Sequence, residues 1–165
     1  LNNSDQLLPN IQKLRSLLNY YFAESKNPQV ALQKELDMID DFMGLEKLRY
    51  GDRLDLKYNI TGPSEGRYIV PFVLFSFVEN CFEHGCSIET GQSWIKIDVD
   101  IRRNSIHFYV ENSKPNVLVL REKGEPESSM DNMRKKLELL YPGRHYLVIK
   151  DENLTYSVAL KLKIA

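Results

Sequence analysis

The sequence predicts an α+β fold: a two-layer sandwich in which a mixed sheet carries helices on one face, preceded by a helical hairpin. Three observations carry this. Apolar residues recur at helical spacing through the first fifty positions; the apolar period then changes to two; and helix and hairpin signals alternate from there to the C-terminus.

Residues 5–23 place Leu7, Ile11, Leu14, Leu17, Leu18 and Tyr21 on one helical stripe, and residues 29–49 place Leu32, Leu36, Ile39, Met43 and Leu48 on another. The turn "ESKNPQ" joins them into a hairpin over residues 1–50. Its apolar surface exceeds what one sandwich edge needs, which marks an interface with the rest of the domain or with a second copy of the chain. "RLDLKYNI" alternates Leu54, Leu56, Tyr58 and Ile60 as a strand and ends in the turn "TGPSEG". "VPFVLFSFVENCFEHG", residues 70–85, is a helix with Pro71 in its first turn and Gly85 as its stop. "WIKIDVDIR" and "SIHFYVEN", joined by a tight turn, form one hairpin. Residues 113–129 are an irregular loop with two prolines. A helix capped by Ser128 or Ser129 follows and runs to Tyr141, and "HYLVIK" with "LTYSVALKLKIA" makes the last hairpin.

Composition narrows the function. Of 165 residues, 42% are hydrophobic and 27% charged, and the net charge is −1, so no global field draws the chain to nucleic acid or anionic lipid. No apolar run reaches the roughly 18 residues of a membrane span, and no signal peptide is visible. The chain starts without Met, so a longer parent with upstream segments is expected, and any membrane attachment would come through those segments. Cys81 lies on the apolar side of its helix and Cys86 has no metal-type spacing partner, which suits buried thiols in a reducing compartment. His107 and His145 read as ordinary strand or loop residues.

The helix at 70–85 raises a question of its own. At about 100° per residue, Ser76, Glu79, Asn80, Glu83 and His84 fall within an arc of roughly 140° on an otherwise apolar helix. Such a stripe faces either water or a ligand pocket, because burying these groups without partners is costly.

The order of motifs resembles the LytS-type (LytS/YehU-like) sensor histidine kinases. "VPFVLFSFVENCFEHG" resembles their N box, P-x-x-L-Q-P-L-V-E-N-A-x-K-H-G. "LRSLLNY", "FMGLEKLRYGDRL" and "NMRKKLELLYPGRHYLVI" resemble further segments of that family, in the family's order and across nearly the whole chain. The resemblance implies a GHKL (Bergerat) sandwich: residues 51–165 as the ATP-binding domain, residues 1–50 as the hairpin after a phosphoacceptor histidine that lies upstream of residue 1. It implies ATP and Mg²⁺ as cofactors, with Asn80 holding the metal and Glu79 as the catalytic base or orienting group. Glu83 and His84 complete the box at the nucleotide. Asn112 takes the adenine-binding position, with Glu111 as the other alignment. Ser129, Asn132 and Arg134 stand at the helix that follows the lid, where free N–H groups can meet phosphate. A response regulator, a homodimer through the N-terminal helices and a cytoplasmic place beneath a bacterial inner-membrane parent are implied as well.

Departures from the pattern keep a second reading open. The family commonly has Lys where Glu83 stands, and the lid glycines fall on Glu127 and Ser129. Two like charges about 4 Å apart cost on the order of 4 kcal/mol at an effective dielectric near 20. The sequence therefore supports either an active autokinase domain or a degenerate one that binds nucleotide weakly and acts by protein contact.

Overall fold

The structure, a computed structural model, describes residues 3–85, 91–114 and 129–164. Helix α1 (Asn3–Glu24) and helix α2 (Leu32–Tyr50) form the expected hairpin. Between them Val30–Ala31 (β1) pairs antiparallel with Tyr68–Ile69 (β3), a two-residue ribbon that the sequence periodicity did not disclose. This pairing is why α2 starts at Leu32 and not near residue 29. A short 3₁₀ turn at Gly51–Arg53 leads into β2 (Leu54–Thr61). Then come α3 (Val73–Gly85), β4 (Ser93–Arg102), β5 (Ser105–Ser113), α4 (Ser129–Leu140), β6 (His145–Asp151) and β7 (Thr155–Lys163).

The sheet order is β2-β4-β5-β7-β6. β2 runs parallel to β4, in register from Leu54 opposite Ser93 to Thr61 opposite Asp100, and every other neighbouring pair is antiparallel. The sheet is thus mixed, as expected. The period of two sorts its faces. Leu54, Ile95, Ile97, Val99, Ile106, Phe108, Val110, Val158, Leu160 and Leu162 are buried towards the helices. The opposite face is polar: Lys96 pairs with Asp98 at 3.0 Å, and Arg102 with Asp100 at 2.8 Å. His107 lies on β5 on this polar face, and burial holds its imidazole below the usual pKa. His145 opens β6 with Nδ1 2.8 Å from the Tyr141 carbonyl.

Helix α3 lies across β4, β5 and β7, with α2 beside it and α4 over β6. Val73, Leu74, Phe77, Val78, Cys81 and Phe82 are all buried, so this is the central core helix. α1 packs on α2 as an outer layer. Among its apolar residues Tyr20 is buried, while Leu7, Ile11, Leu14, Leu18 and Tyr21 are exposed.

The start of α3 differs from the sequence reading. Pro71 does not form its first turn, because Phe72 has a φ of +66°, outside the helical region. A non-glycine residue there costs about 1 kcal/mol or more and persists only where its surroundings hold it. Glu35 of α2, fully buried, holds it. Its carboxylate accepts hydrogen bonds from the Phe72 amide at 2.8 Å, the Leu74 amide at 2.7 Å and the Phe75 amide at 3.1 Å. It also accepts one from the Tyr20 hydroxyl at 3.0 Å. A carboxylate is well placed at a helix N-terminus, where unpaired N–H groups and the helix dipole both favour it.

Candidate functional site

The polar stripe of α3 divides in the fold. Ser76 serves the backbone, donating to the Phe72 carbonyl at 2.6 Å. Asn80, 7% exposed, is turned into the protein, whereas Glu79 and Glu83 reach solvent one turn apart. Burial first, and the Glu83 carboxylate second, raise the Glu79 carboxyl above the usual glutamate range. A carboxylate so raised is a better proton acceptor than an ordinary one. His84 lies in the last turn of α3.

Under the helices the sheet presents a second group of polar atoms. Ile95, Asn112 and Tyr156 are register neighbours across β4, β5 and β7. Asn112 and Tyr156 therefore share the helix-facing side with Val110 and Val158. Asn112 is 2% exposed. Its Nδ2 donates to the Ser113 carbonyl at 2.9 Å, and its Oδ1 is buried with no partner among the described residues. The Tyr156 hydroxyl is buried and unpartnered in the same way. Burial, helped by the nearby Cys81 thiol and Asp151, pushes its pKa up to about 12, while Arg134 of α4 acts in the opposite sense. Cys81, the expected buried thiol, thus lines this corner, and Arg134 stands near it. Two orphaned buried polar atoms side by side are the mark of a missing partner.

Asn80 lies on α3, which packs over the sheet and carries Cys81 near Tyr156; Asn112 lies on β5 and Arg134 on α4. Ser129 opens α4, Asn132 is exposed in its first turns, and Glu111 lies on the polar face of β5, away from the helices. Glu127, Ser128, Cys86 and nearly all of the irregular loop lie outside the described residues. Sequence reasoning missed Tyr156 and Glu35. The period of two does put Tyr156 on the face of Val158 and Leu160. A helical wheel of α2 puts Glu35 between Met38 and Ile39, a charge inside an apolar stripe.

The group that the resemblance implies is a nucleotide with Mg²⁺. An orphaned acceptor on Asn112 and a hydroxyl on Tyr156 fit the edge of a base that offers both a donor and an acceptor. Among the described residues no cluster of three or more His, Cys, Asp or Glu side chains is arranged for a metal. Mg²⁺ held through one amide suits this, since the ion usually keeps waters and phosphate oxygens.

Comparisons with known proteins bear on the family and the fold. A histidine kinase family model matches residues 1–54. Sensor protein LytS of Staphylococcus epidermidis is 28% identical over 102 residues, 62% of this chain and 17% of that protein. Sensor histidine kinase YpdA of Escherichia coli K12 is 27% identical over 147 residues, 84% of this chain and 26% of that protein. The chain therefore spans about a quarter or less of these curated relatives. Among solved structures, histidine kinase ThkA in complex with the response regulator TrrA superposes with a TM-score of 0.56 at 15% identity, covering 96% of this chain and 49% of that one. Full-length ShkA in complex with AMPPNP gives a TM-score of 0.56 at 12% identity, covering 98% and 36%. The chain is homologous to the LytS-type sensor histidine kinases of two-component signalling, and its helices and open mixed sheet have the fold of a histidine kinase catalytic domain.

Proposed function

We propose that this chain is the nucleotide-binding end of a two-component sensor kinase that phosphorylates a histidine upstream of residue 1 and passes the phosphoryl group to a response regulator. Residues 51–165 form the ATP-binding domain and residues 1–50 the hairpin that joins it to the acceptor histidine. The observation that carries the reading is the pair of orphaned buried atoms, Asn112 Oδ1 and Tyr156 Oη, on register neighbours of the helix-facing side of the sheet. Asn112 Oδ1 accepts from the amino group of adenine, since its own amide nitrogen is already committed to Ser113. Asn80 offers an amide oxygen to Mg²⁺, and Glu79 orients the attacking histidine or takes its proton. When bound, ATP·Mg²⁺ supplies the phosphoryl group; the chain's part is to position it, with Ser129, Asn132 and Arg134 at the phosphate end and Glu83 and His84 closing the box.

Assembly is part of the proposal. Leu7, Ile11, Leu14, Leu18 and Tyr21 are spaced four, three, four and three apart, and all are exposed on α1. That is a coiled-coil seam, and a second copy of the same helix is the partner that fits it. No helix among the described residues is long and apolar enough to cross a membrane. We place the chain on the cytoplasmic side of a bacterial inner-membrane parent, where response regulators meet such kinases.

One feature favours the degenerate reading: Glu79 and Glu83 lie one turn apart on the stripe, and Glu83 occupies the place of a phosphate-pairing cation. Calorimetric titration with ATP·Mg²⁺ tests both readings. ATP binding that is weak, at high micromolar levels, and salt-sensitive is expected. Glu83→Lys with Glu127→Gly should tighten it at least about tenfold, a gain of about 1.4 kcal/mol. Absence of binding in both proteins would leave only a contact module.

A further inference from the structure

Glu35 is fully buried, yet it takes no part in the proposed nucleotide site. It joins three helices. From α2 its Oε2 accepts the Tyr20 hydroxyl of α1 and the Phe72 amide, and its Oε1 accepts the Leu74 and Phe75 amides that open α3. The Phe72 ring stands edge-on to Tyr20 at 5.2 Å and to Tyr21 at 5.6 Å, so α1 touches this junction through rings as well as through a hydroxyl. On the far side the Val70 amide donates to the Tyr141 hydroxyl at 2.8 Å, just past the end of α4. Segment 70–75 is thus held between the helical hairpin and α4, with a strained residue at its centre.

Stability alone does not call for such a group. A buried charge can often be replaced by apolar side chains of similar volume without loss. What the carboxylate provides is direction, because donors from two helices converge on one rigid planar group. α3 is regular from Val73 onward. Its hydrogen-bonded turns move as a unit, so a tilt or rotation imposed at Leu74 is carried the roughly 9 Å to Asn80.

We propose that Glu35 and Tyr20 are positioning residues that pass the setting of α1 to α3, and so to the stripe of Glu79, Asn80 and Glu83. A rotation of α1 moves the Tyr20 hydroxyl, which pulls on Oε2; the amides on Oε1 and the backbone at Phe72 follow. The inference concerns the helices and holds whatever the stripe faces, so its test uses no nucleotide.

The test is amide NMR on the full chain, comparing Tyr20→Phe with Arg15→Ala, an exposed change on the same helix. Tyr20→Phe removes one hydroxyl and keeps the ring against Phe72. It should shift the amides of Phe72, Leu74 and Phe75, and the shifts should continue through Asn80 to Glu83, whereas Arg15→Ala leaves α3 unmoved. Glu35→Gln should move the Leu74 and Phe75 amide protons upfield as their carboxylate acceptor is lost. Adding Tyr20→Phe to it should shift the stripe no further. Shifts from Tyr20→Phe confined to its own contacts, or strict additivity in the double variant, would overturn the proposal. Should Glu35→Gln fail to fold, the spread of shifts from Tyr20→Phe still decides it.

Discussion

The carboxylate of Glu35 accepts the Leu74 amide at 2.7 Å across 39 residues of sequence, and with three further donors it caps the start of α3 inside the core. Burial raises its pKa, while the backbone amides of Phe75, Leu74 and Phe72 and the Tyr20 hydroxyl oppose that rise. Glu35→Ala should therefore be among the most damaging single changes in the chain. It leaves three amides and a hydroxyl without an acceptor, and a loss of about 3–5 kcal/mol is expected in urea unfolding. Glu35→Gln should cost less, because its amide oxygen can still accept from some of those donors. A Glu35→Ala midpoint within error of the parent would show that these bonds contribute nothing.

Two glycines separate backbone strain from steric clash. Gly62 has a φ of +84°, and a Cβ there would lie 2.0 Å from the Ile101 carbonyl oxygen. Gly66 has a φ of +68° with nothing near its Cβ position. Gly66→Ala should cost only the left-handed penalty, about 1 kcal/mol. Gly62→Ala should cost at least about 2 kcal/mol more, because backbone must move. Thermal unfolding of the two variants gives the comparison directly.

Glu79 gives the chain a pH dependence of definite sign. Its carboxyl is raised above the ordinary value of 4.5, by burial and then by Glu83, so the folded state holds that proton more tightly than the unfolded state does. Its contribution is therefore present below pH 4.5 and is lost as pH rises through the raised value. Glu79→Gln should match the parent at pH 4 and exceed it in stability at pH 7. Urea midpoints at the two pH values measure this, and an equal offset at both would mean that the environment of Glu79 does not shift it.

The exposed seam of α1 sets a fourth expectation. Leu14 and Leu18 are 52% and 50% exposed, so Leu14→Glu or Leu18→Glu should hardly change the stability of one copy. In a dimer the same carboxylates are buried against each other. Sedimentation at rising concentration should show association in the parent and its loss in either variant.

Much of the fold was legible because period and order survive burial. Strands with Ile95, Ile97 and Val99 on one face, and α1 with its long apolar stripe, declare themselves without tertiary context. The two-residue ribbon of Val30–Ala31 with Tyr68–Ile69 has no period to detect, and it shifted the start of α2. The start of α3 was misplaced because Pro71 is a sound local signal. Glu35, distant in sequence, overrides it by capping the amides from Phe72 onward. At the candidate site, Asn80 and Asn112, both buried, are legible through motif likeness. Tyr156 is not, since a strand residue reveals an orphaned hydroxyl only once the chain is folded.

The parallel pairing of β2 with β4 bears on synthesis. Leu54 must find Ser93 across a loop of about 40 residues, whereas β4–β5 and β6–β7 close as local hairpins. On the ribosome, α1, α2 and β2 emerge before the rest of the sheet, and β2 has no template until β4 has left the exit tunnel. The apolar side of α2, with Leu36, Ile39 and Met43, therefore waits unsheltered while some forty residues are added. For that interval the nascent hairpin keeps apolar surface in water that only the completed sheet and α3 can cover.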